Sequence, residues 1–233
     1  LASLWLRTRS LGANTLPAIA CVCGVLVVAP YAAFQLLTSG TQAAEWYRVL
    51  WYATVLSFPV SFASGVLFTL IGQAAHQRGE SVARSAGYLT LANTLGAIGG
   101  PAVAAYLLLP LLGMERSLVM AAVAYGAVAW LTTRVSSSSG EARVSTWSRP
   151  RLVAAAMLLL SLVLFPYGAM AQRYFPRAAA AYDSDGSTIV ATREGTAETL
   201  FVMQQQWLGQ PVYSRLVTNG FSMSGTALLG QRY

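Results

Sequence analysis

The sequence predicts an α-helical membrane protein with about five transmembrane helices, followed by a small antiparallel β meander. Three observations lead to this fold class. The chain is 55% hydrophobic and only 10% charged, whereas a soluble domain carries roughly a quarter charged residues. Long apolar stretches alternate with short polar connections. After residue 181 the pattern changes to short segments rich in β-branched residues, separated by Gly and Asn.

Five apolar stretches account for the predicted helices. A helix rises about 1.5 Å per residue, so it needs roughly 20 apolar residues to cross a hydrocarbon layer about 30 Å thick. Each stretch is continuously apolar and does not alternate, which favours a helix over a strand in lipid. The stretches are Leu16 to Leu37, Val49 to Ile71, Leu89 to Leu112, Leu118 to Thr133, which is the shortest, and Leu152 to Ala171.

The third stretch carries the candidate residues for helix packing. Gly96 and Gly100 lie four residues apart, in one small-residue stripe with Ala92 and Ala104. This spacing lets a neighbouring helix backbone approach closely. Asn93 is the most polar residue well inside a stretch, and we expect its amide to bond a neighbouring helix; a substrate contact is the less favoured interpretation.

The basic excess of +7 comes from arginine alone, because the chain contains no lysine. The arginines stand singly between apolar runs, which is typical of membrane-flanking anchors and not of a nucleic-acid surface. By the positive-inside rule, the connection from Ser136 to Ser139 with its flanking arginines belongs to the cytoplasm. Arg173 and Arg177 flank the last stretch on the opposite side, so the side of the tail stays open.

The two cysteines favour core packing, with a metal site or a redox pair as the less favoured interpretation. Cys21 and Cys23 lie two residues apart within an apolar run, so that they point in different directions on a helix. We interpret both as small buried side chains, and we predict no metal-binding residue in the chain.

The tail predicts three or four strands. Three segments carry the strand pattern, and Asn219-Gly220 after the last of them is typical of a tight hairpin turn. Such a meander is too small to bury a core alone. The segments are Thr188 to Thr192, Thr199 to Gln204 and Val212 to Thr218, with turn residues at Gly195 and at Gly209-Gln210-Pro211.

These patterns divide the chain into a helical membrane region over residues 1–172, a linker over 173–181 and a β-rich segment over 182–233. The chain starts without a methionine and ends inside the β-rich pattern. We therefore expect a fragment of a longer protein, with the β-rich segment truncated.

Two regions also resemble a known family. The third stretch contains the run Ala86-Gly-Tyr-Leu-Thr-Leu-Ala-Asn-Thr-Leu-Gly-Ala-Ile-Gly-Gly. The tail contains Arg193-Glu-Gly-Thr-Ala-Glu-Thr and Arg215-Leu-Val-Thr-Asn-Gly-Phe-Ser-Met-Ser-Gly-Thr. Together they resemble bacterial membrane proteins in which a multi-span, MFS-like region is fused to a spermidine synthase-like domain, whose N-terminal β subdomain the tail would be.

The resemblance implies aminopropyl transfer from decarboxylated S-adenosylmethionine, the co-substrate, to a small amine or nucleoside-type substrate. It also implies substrate-binding roles for Asn219, Gly220, Met223 and Tyr233. The family places its catalytic groups on a Rossmann-like domain beyond the β subdomain, so we expect no catalytic residue, no bound cofactor and no activity in this fragment.

The chain departs from the family at positions where the synthases have acidic residues. Asn219 and Met223 stand where the synthases usually have Asp and Gln, and Leu228 and Leu229 stand where they have an acidic pair. These departures weaken the case for a dicationic polyamine substrate.

Two other functions remain open. Helices interrupted by Gly and Pro are typical of transporters, so the chain would alternatively be a transporter or a transport-associated protein with a regulatory tail. A non-catalytic membrane scaffold is the third hypothesis. The predicted partners are the lipid bilayer, a small substrate if the protein is active, and a second copy of the chain as an option; nucleic acid is not among them.

Overall fold

The first two long helices of the computed structural model follow their apolar stretches closely, and the later helices overlap theirs only in part. The structure describes residues 15–38, 46–76, 82–137, 149–195, 198–218 and 221–226. The five longest helices in these ranges are α1 (Thr15–Thr38), α2 (Trp46–His76), α3 (Val82–Val103), α4 (Leu109–Ser137) and α5 (Arg149–Val163).

Three apolar helical stretches in the described ranges are long enough to cross a membrane, which differs from the predicted count of about five. They are Thr15–Phe34, Trp46–Ala75 and Ala83–Arg134, with mean hydropathies of 2.1, 1.8 and 1.8. Their length and composition are compatible with membrane insertion. The third runs over 52 residues and contains both the third and the fourth predicted spans, because the π-helical turn Ala104–Leu108 joins α3 to α4.

Glycine and proline explain where the helices break. Gly113 interrupts α4 with φ 74° and ψ 176°, a conformation that glycine almost alone adopts. The predicted span from Leu152 to Ala171 is wrong in length, because α5 has 15 residues and ends before Pro166, and Gly168 follows at φ 82°. Proline lacks the N–H that would continue the helix, and it restricts the residue before it.

The chain divides into two compact units, one of residues 1–96 with 118–165 and one of residues 97–117 with 166–233. In the first unit α1 packs against α2 and α5. Cys21 and Cys23 are both buried in this packing, which agrees with their interpretation as small core residues. Ser64 and Tyr125 add a polar contact, with their hydroxyl oxygens 2.7 Å apart.

The second unit contains a four-stranded antiparallel sheet, as predicted. Its strands are β1 (Ser187–Glu194), β2 (Thr199–Trp207), β3 (Gln210–Thr218) and β4 (Phe221–Gly225), paired in the order β1-β2-β3-β4. The predicted turn at Gly209-Gln210-Pro211 is shifted, because the tight turn lies at Leu208 and Gly209, which both have positive φ. The Asn219-Gly220 turn lies outside the described residues, although Thr218 and Phe221 on its two sides pair with each other.

A short helical segment covers one face of this sheet. It comprises a π-helical turn (Met170–Tyr174), α6 (Phe175–Ala179) and a 3-10 turn (Ala180–Asp185). Phe175 packs edge-on against Phe201, with ring centroids 5.1 Å apart. Phe201, Met203 and Val217 are almost fully buried beneath it. The sheet therefore gains its small core from the segment that precedes it, which supplies part of the cover that a lone meander lacks.

Gly24 provides a test of the packing in the first unit. A side chain at Gly24 would meet Leu158 Cδ1 at 2.8 Å and the Ala122 carbonyl at 3.1 Å, so we expect Gly24→Val to lower stability in detergent by about 1–3 kcal/mol. Gly65→Val is the matched control, because a Cβ at position 65 would meet nothing within 4 Å among the described atoms. Thermal unfolding measures both, and equal melting temperatures for the two variants would contradict the close approach of α1 to α5.

Candidate functional site

A cluster of two tyrosines and one arginine lies at the β3 side of the covered sheet face. The Arg215 guanidinium lies 4.9 Å from the ring centroid of Tyr182 and 5.2 Å from that of Tyr213. Its Nε also donates a 3.1 Å hydrogen bond to the Tyr213 hydroxyl. All three side chains are half-buried. We call Tyr182, Tyr213 and Arg215 the Arg–Tyr cluster.

The local fold explains why these three residues meet. Tyr213 and Arg215 are two residues apart on β3, so both point to the same face of the sheet. Tyr182 comes from the 3-10 turn, and its hydroxyl accepts a 2.8 Å hydrogen bond from the Ser222 N–H on β4. Gly225 lies opposite Arg215 on the neighbouring strand. A Cβ built at position 225 would lie 2.5 Å from the Tyr213 hydroxyl, so a side chain there would collide with Tyr213. The cluster therefore ties the helical segment to the paired strands β3 and β4.

Two glutamates of the same unit bind backbone N–H groups at the starts of helical segments. The Glu194 carboxylate accepts a 2.6 Å hydrogen bond from Met114 N–H, directly after the break at Gly113. The Glu115 carboxylate accepts bonds of 2.7 and 2.8 Å from the N–H groups of Gly168 and Met170. A helix start presents unsatisfied N–H groups and partial positive charge, so a carboxylate is well placed there. Each glutamate thus caps a segment far from it in sequence.

A cleft of about 500 Å³ lies between β1 and the helical segment. Its lining is apolar or hydroxyl-bearing, and none of its lining residues is charged. A cationic amine needs an anionic partner when it leaves water. The cleft is therefore a poor site for a polyamine, and the Arg–Tyr cluster is the stronger candidate for polar recognition.

The predicted site residues are only partly within the described chain. Asn219, Gly220 and Tyr233 lie outside it. Met223 lies on β4 with 68% of its surface exposed, and its substrate-binding role stays a prediction. Asn93 is exposed on α3, and a Cβ at Gly96 or Gly100 would meet nothing within 4 Å among the described atoms, so their packing role also stays a prediction.

Sequence reasoning missed the residues that organise this unit. Glu115 is an acid beside the break in a long apolar stretch that is otherwise free of acids, and this isolation could have marked it. Tyr182 and Arg215 are 33 positions apart and belong to no local motif, so no sequence signal joins them. Their contact follows from the folding of the helical segment onto the sheet.

Comparisons with known proteins assign neither a family nor a function to the chain. No family model matches the chain, and neither the curated proteins nor the solved structures that were searched contain a match. The resemblance to membrane-fused synthase-like proteins therefore stays a hypothesis that depends on the residues quoted for it.

Removing the Glu115 carboxylate tests the capping of the helical segment. We expect Glu115→Ala to speed hydrogen exchange of the Gly168 and Met170 amides by about tenfold. A hydrogen bond to a charged group contributes roughly 1.5–3 kcal/mol, and we take the lower end because Glu115 is only half-buried. Glu198→Ala is the matched control, because the Glu198 side chain is exposed at the start of β2. Unchanged exchange at both amides in Glu115→Ala would contradict the cap.

Proposed function

We propose that this chain is the membrane-integral part of a bacterial spermidine synthase-like protein, with its sheet serving as the N-terminal β subdomain of an aminopropyltransferase-type domain. The proposed location is the inner membrane. The long apolar helices would anchor the protein in the bilayer, and the sheet would face the substrate.

The observation that carries the proposal is the position of the two tail motifs on the strands. Arg193-Glu194 forms the end of β1, and the Gly195 N–H donates a 2.9 Å bond to the Glu198 carbonyl at the turn into β2. Asn219-Gly220 falls between the paired residues Thr218 and Phe221. The order of apolar helices, Arg-Glu-Gly strand end and Asn-Gly hairpin is that of the family the sequence resembles.

The chemistry proposed is a substitution at carbon. The amine nitrogen of the acceptor attacks the aminopropyl methylene next to the sulfonium of decarboxylated S-adenosylmethionine. The new C–N bond forms as the C–S bond breaks, and its electron pair goes to sulfur to give neutral methylthioadenosine. The amine loses one proton to a base, which the family supplies from its Rossmann-like domain.

A transport function is the second candidate, and a specific feature favours it. The π-helical turn Ala104–Leu108 and the break at Gly113 interrupt the longest apolar stretch, as discontinuous helices do in transporters. Asn93 lies on the same stretch, at an exposed position of α3.

One pair of variants discriminates between the two candidates. The protein expressed from its whole gene is incubated in membranes with decarboxylated S-adenosylmethionine labelled in the aminopropyl group and a panel of amine acceptors. We expect a labelled adduct and methylthioadenosine in equal amounts. Asn219→Ala is expected to lower kcat/KM by about tenfold, the loss typical of one substrate hydrogen bond. Asn93→Ala, the control, leaves transfer unchanged.

Absence of transfer to every acceptor by folded protein would overturn the synthase proposal. Uptake of a solute into vesicles that Asn93→Ala abolishes and Asn219→Ala leaves intact would establish the transport candidate instead.

A further inference from the structure

Two pairs of an arginine and an aromatic ring lie near the two ends of the longest apolar stretch. The Arg134 guanidinium lies 5.0 Å from the ring centroid of Trp130, and the Arg84 guanidinium lies 5.7 Å from that of Tyr88. Both distances fall within the range in which a cation is attracted to an aromatic face. Arg84 is the second residue of the stretch Ala83–Arg134, and Arg134 is its last.

The two pairs have the same order of charge and ring, counted from the ends of the stretch inward. In each pair the arginine is the outer residue, and the ring lies four residues further into the stretch. Four residues of helix correspond to about 6 Å along its axis. Aromatic side chains favour the boundary between hydrocarbon and water, and arginines extend from there toward the polar headgroups. Each pair therefore follows the order in which hydrocarbon and phosphate succeed each other at a bilayer surface.

The helix dipole does not explain both arginines. It favours a cation at the C-terminal end of a helix, and Arg134 lies in the last turn of α4. Arg84, in contrast, lies in the first turn of α3, where the same dipole disfavours a cation. A layer of negative charge outside the helix ends would favour both.

Of the two pairs, Trp130 and Arg134 form the stronger candidate for a ligand site. Both side chains are exposed. The sequence has no acidic residue from position 118 to position 137, so this part of α4 carries positive charge alone. Arg84 takes part in a further interaction besides those with Tyr88. A guanidinium that a ring already orients loses less entropy on binding, and its planar fork matches two oxygens of a phosphate.

We infer that Trp130 and Arg134 at the end of α4 bind the headgroup of an anionic phospholipid, with the guanidinium on the phosphate oxygens and the ring against the carbons below them. The inference rests on the bilayer location in the proposed function and not on aminopropyl transfer. A zwitterionic lipid has the same phosphate but carries a cation beside it. The site therefore favours a headgroup of net negative charge.

Two lipids with the same acyl chains test the inference. Dioleoylphosphatidylglycerol is anionic and dioleoylphosphatidylcholine is zwitterionic, and native mass spectrometry of the protein in a non-ionic detergent measures the Kd of each. We expect the phosphatidylglycerol to bind at least about fivefold more tightly, the effect of one basic residue near a negatively charged surface. Arg134→Gln is expected to raise the Kd for phosphatidylglycerol by about fivefold and to leave that for phosphatidylcholine nearly unchanged.

A second variant and a control complete the experiment. Trp130→Leu keeps the charge and an apolar side chain but removes the ring, and we expect it to raise the Kd for phosphatidylglycerol about two- to threefold. This variant tests the site even where Arg134→Gln impairs folding. Arg193→Gln is the control for a general loss of positive charge, because Arg193 is an exposed arginine on β1. Its Kd is expected to match that of the original protein.

The outcomes separate this inference from the proposed function. Equal Kd values for the two lipids, an equal rise of the Kd in Arg193→Gln and Arg134→Gln, or an unchanged Kd in Trp130→Leu would overturn the inference. Displacement of the lipid by an equal concentration of inorganic phosphate would also overturn it, because the ligand would then be a free ion. Retention of the protein in membranes after carbonate extraction, without a preference for phosphatidylglycerol, would support the bilayer location and overturn this inference alone.

Discussion

The constraint on which this structure depends is that the described residues leave the longest apolar helical stretch uncovered. None of the most apolar part of the Ala83–Arg134 stretch is buried. Leu91, Leu95 and Ile98 are 56%, 63% and 69% exposed. Leaving such a side chain in water forgoes about 1.5–3 kcal/mol, so a whole stretch of them needs an apolar surrounding. The proposed bilayer supplies it, and single arginines at the ends of the stretches fit the same account.

The second unit solves a different problem, which is how a small sheet acquires order. Among its described residues, the core consists of Phe175, Ala179, Phe201, Met203 and Val217 with a few half-buried neighbours. Polar contacts therefore hold much of this unit in place. The glutamate caps fix the starts of helical segments, and the Arg–Tyr cluster fixes the hairpin. Because this core is small, contacts between charged and aromatic groups take places that apolar packing would fill in a larger domain, although such groups are costly to align.

The sequence predicted helices and strands whose signals lie within a few neighbouring residues. It did not predict contacts between residues that are far apart in the chain. Apolar runs located α1 and α2, and alternation with β-branched residues located β1, β2 and β3, because both signals lie within a few neighbouring residues. The helix count was wrong for two reasons that a run of apolar residues does not reveal. The π-helical turn Ala104–Leu108 joins α3 and α4 into one stretch, and α5 ends before Pro166. The Glu194 cap joins residues 80 positions apart, and the Arg–Tyr cluster needs a folded turn, so neither could be predicted. The predicted roles of Asn219, Gly220, Met223 and Tyr233 came from the resemblance alone and remain hypotheses.

The most direct test of the central claim, that the long apolar helices lie in a bilayer, is alkaline carbonate extraction of membranes containing the protein. Carbonate removes proteins held at the surface by charge and leaves those whose helices cross the hydrocarbon layer. The account predicts that the protein stays with the membrane pellet and is released only by detergent. Recovery of the folded protein in the carbonate supernatant would contradict it, because helices that leave Leu91, Leu95 and Ile98 uncovered could not then be explained by lipid.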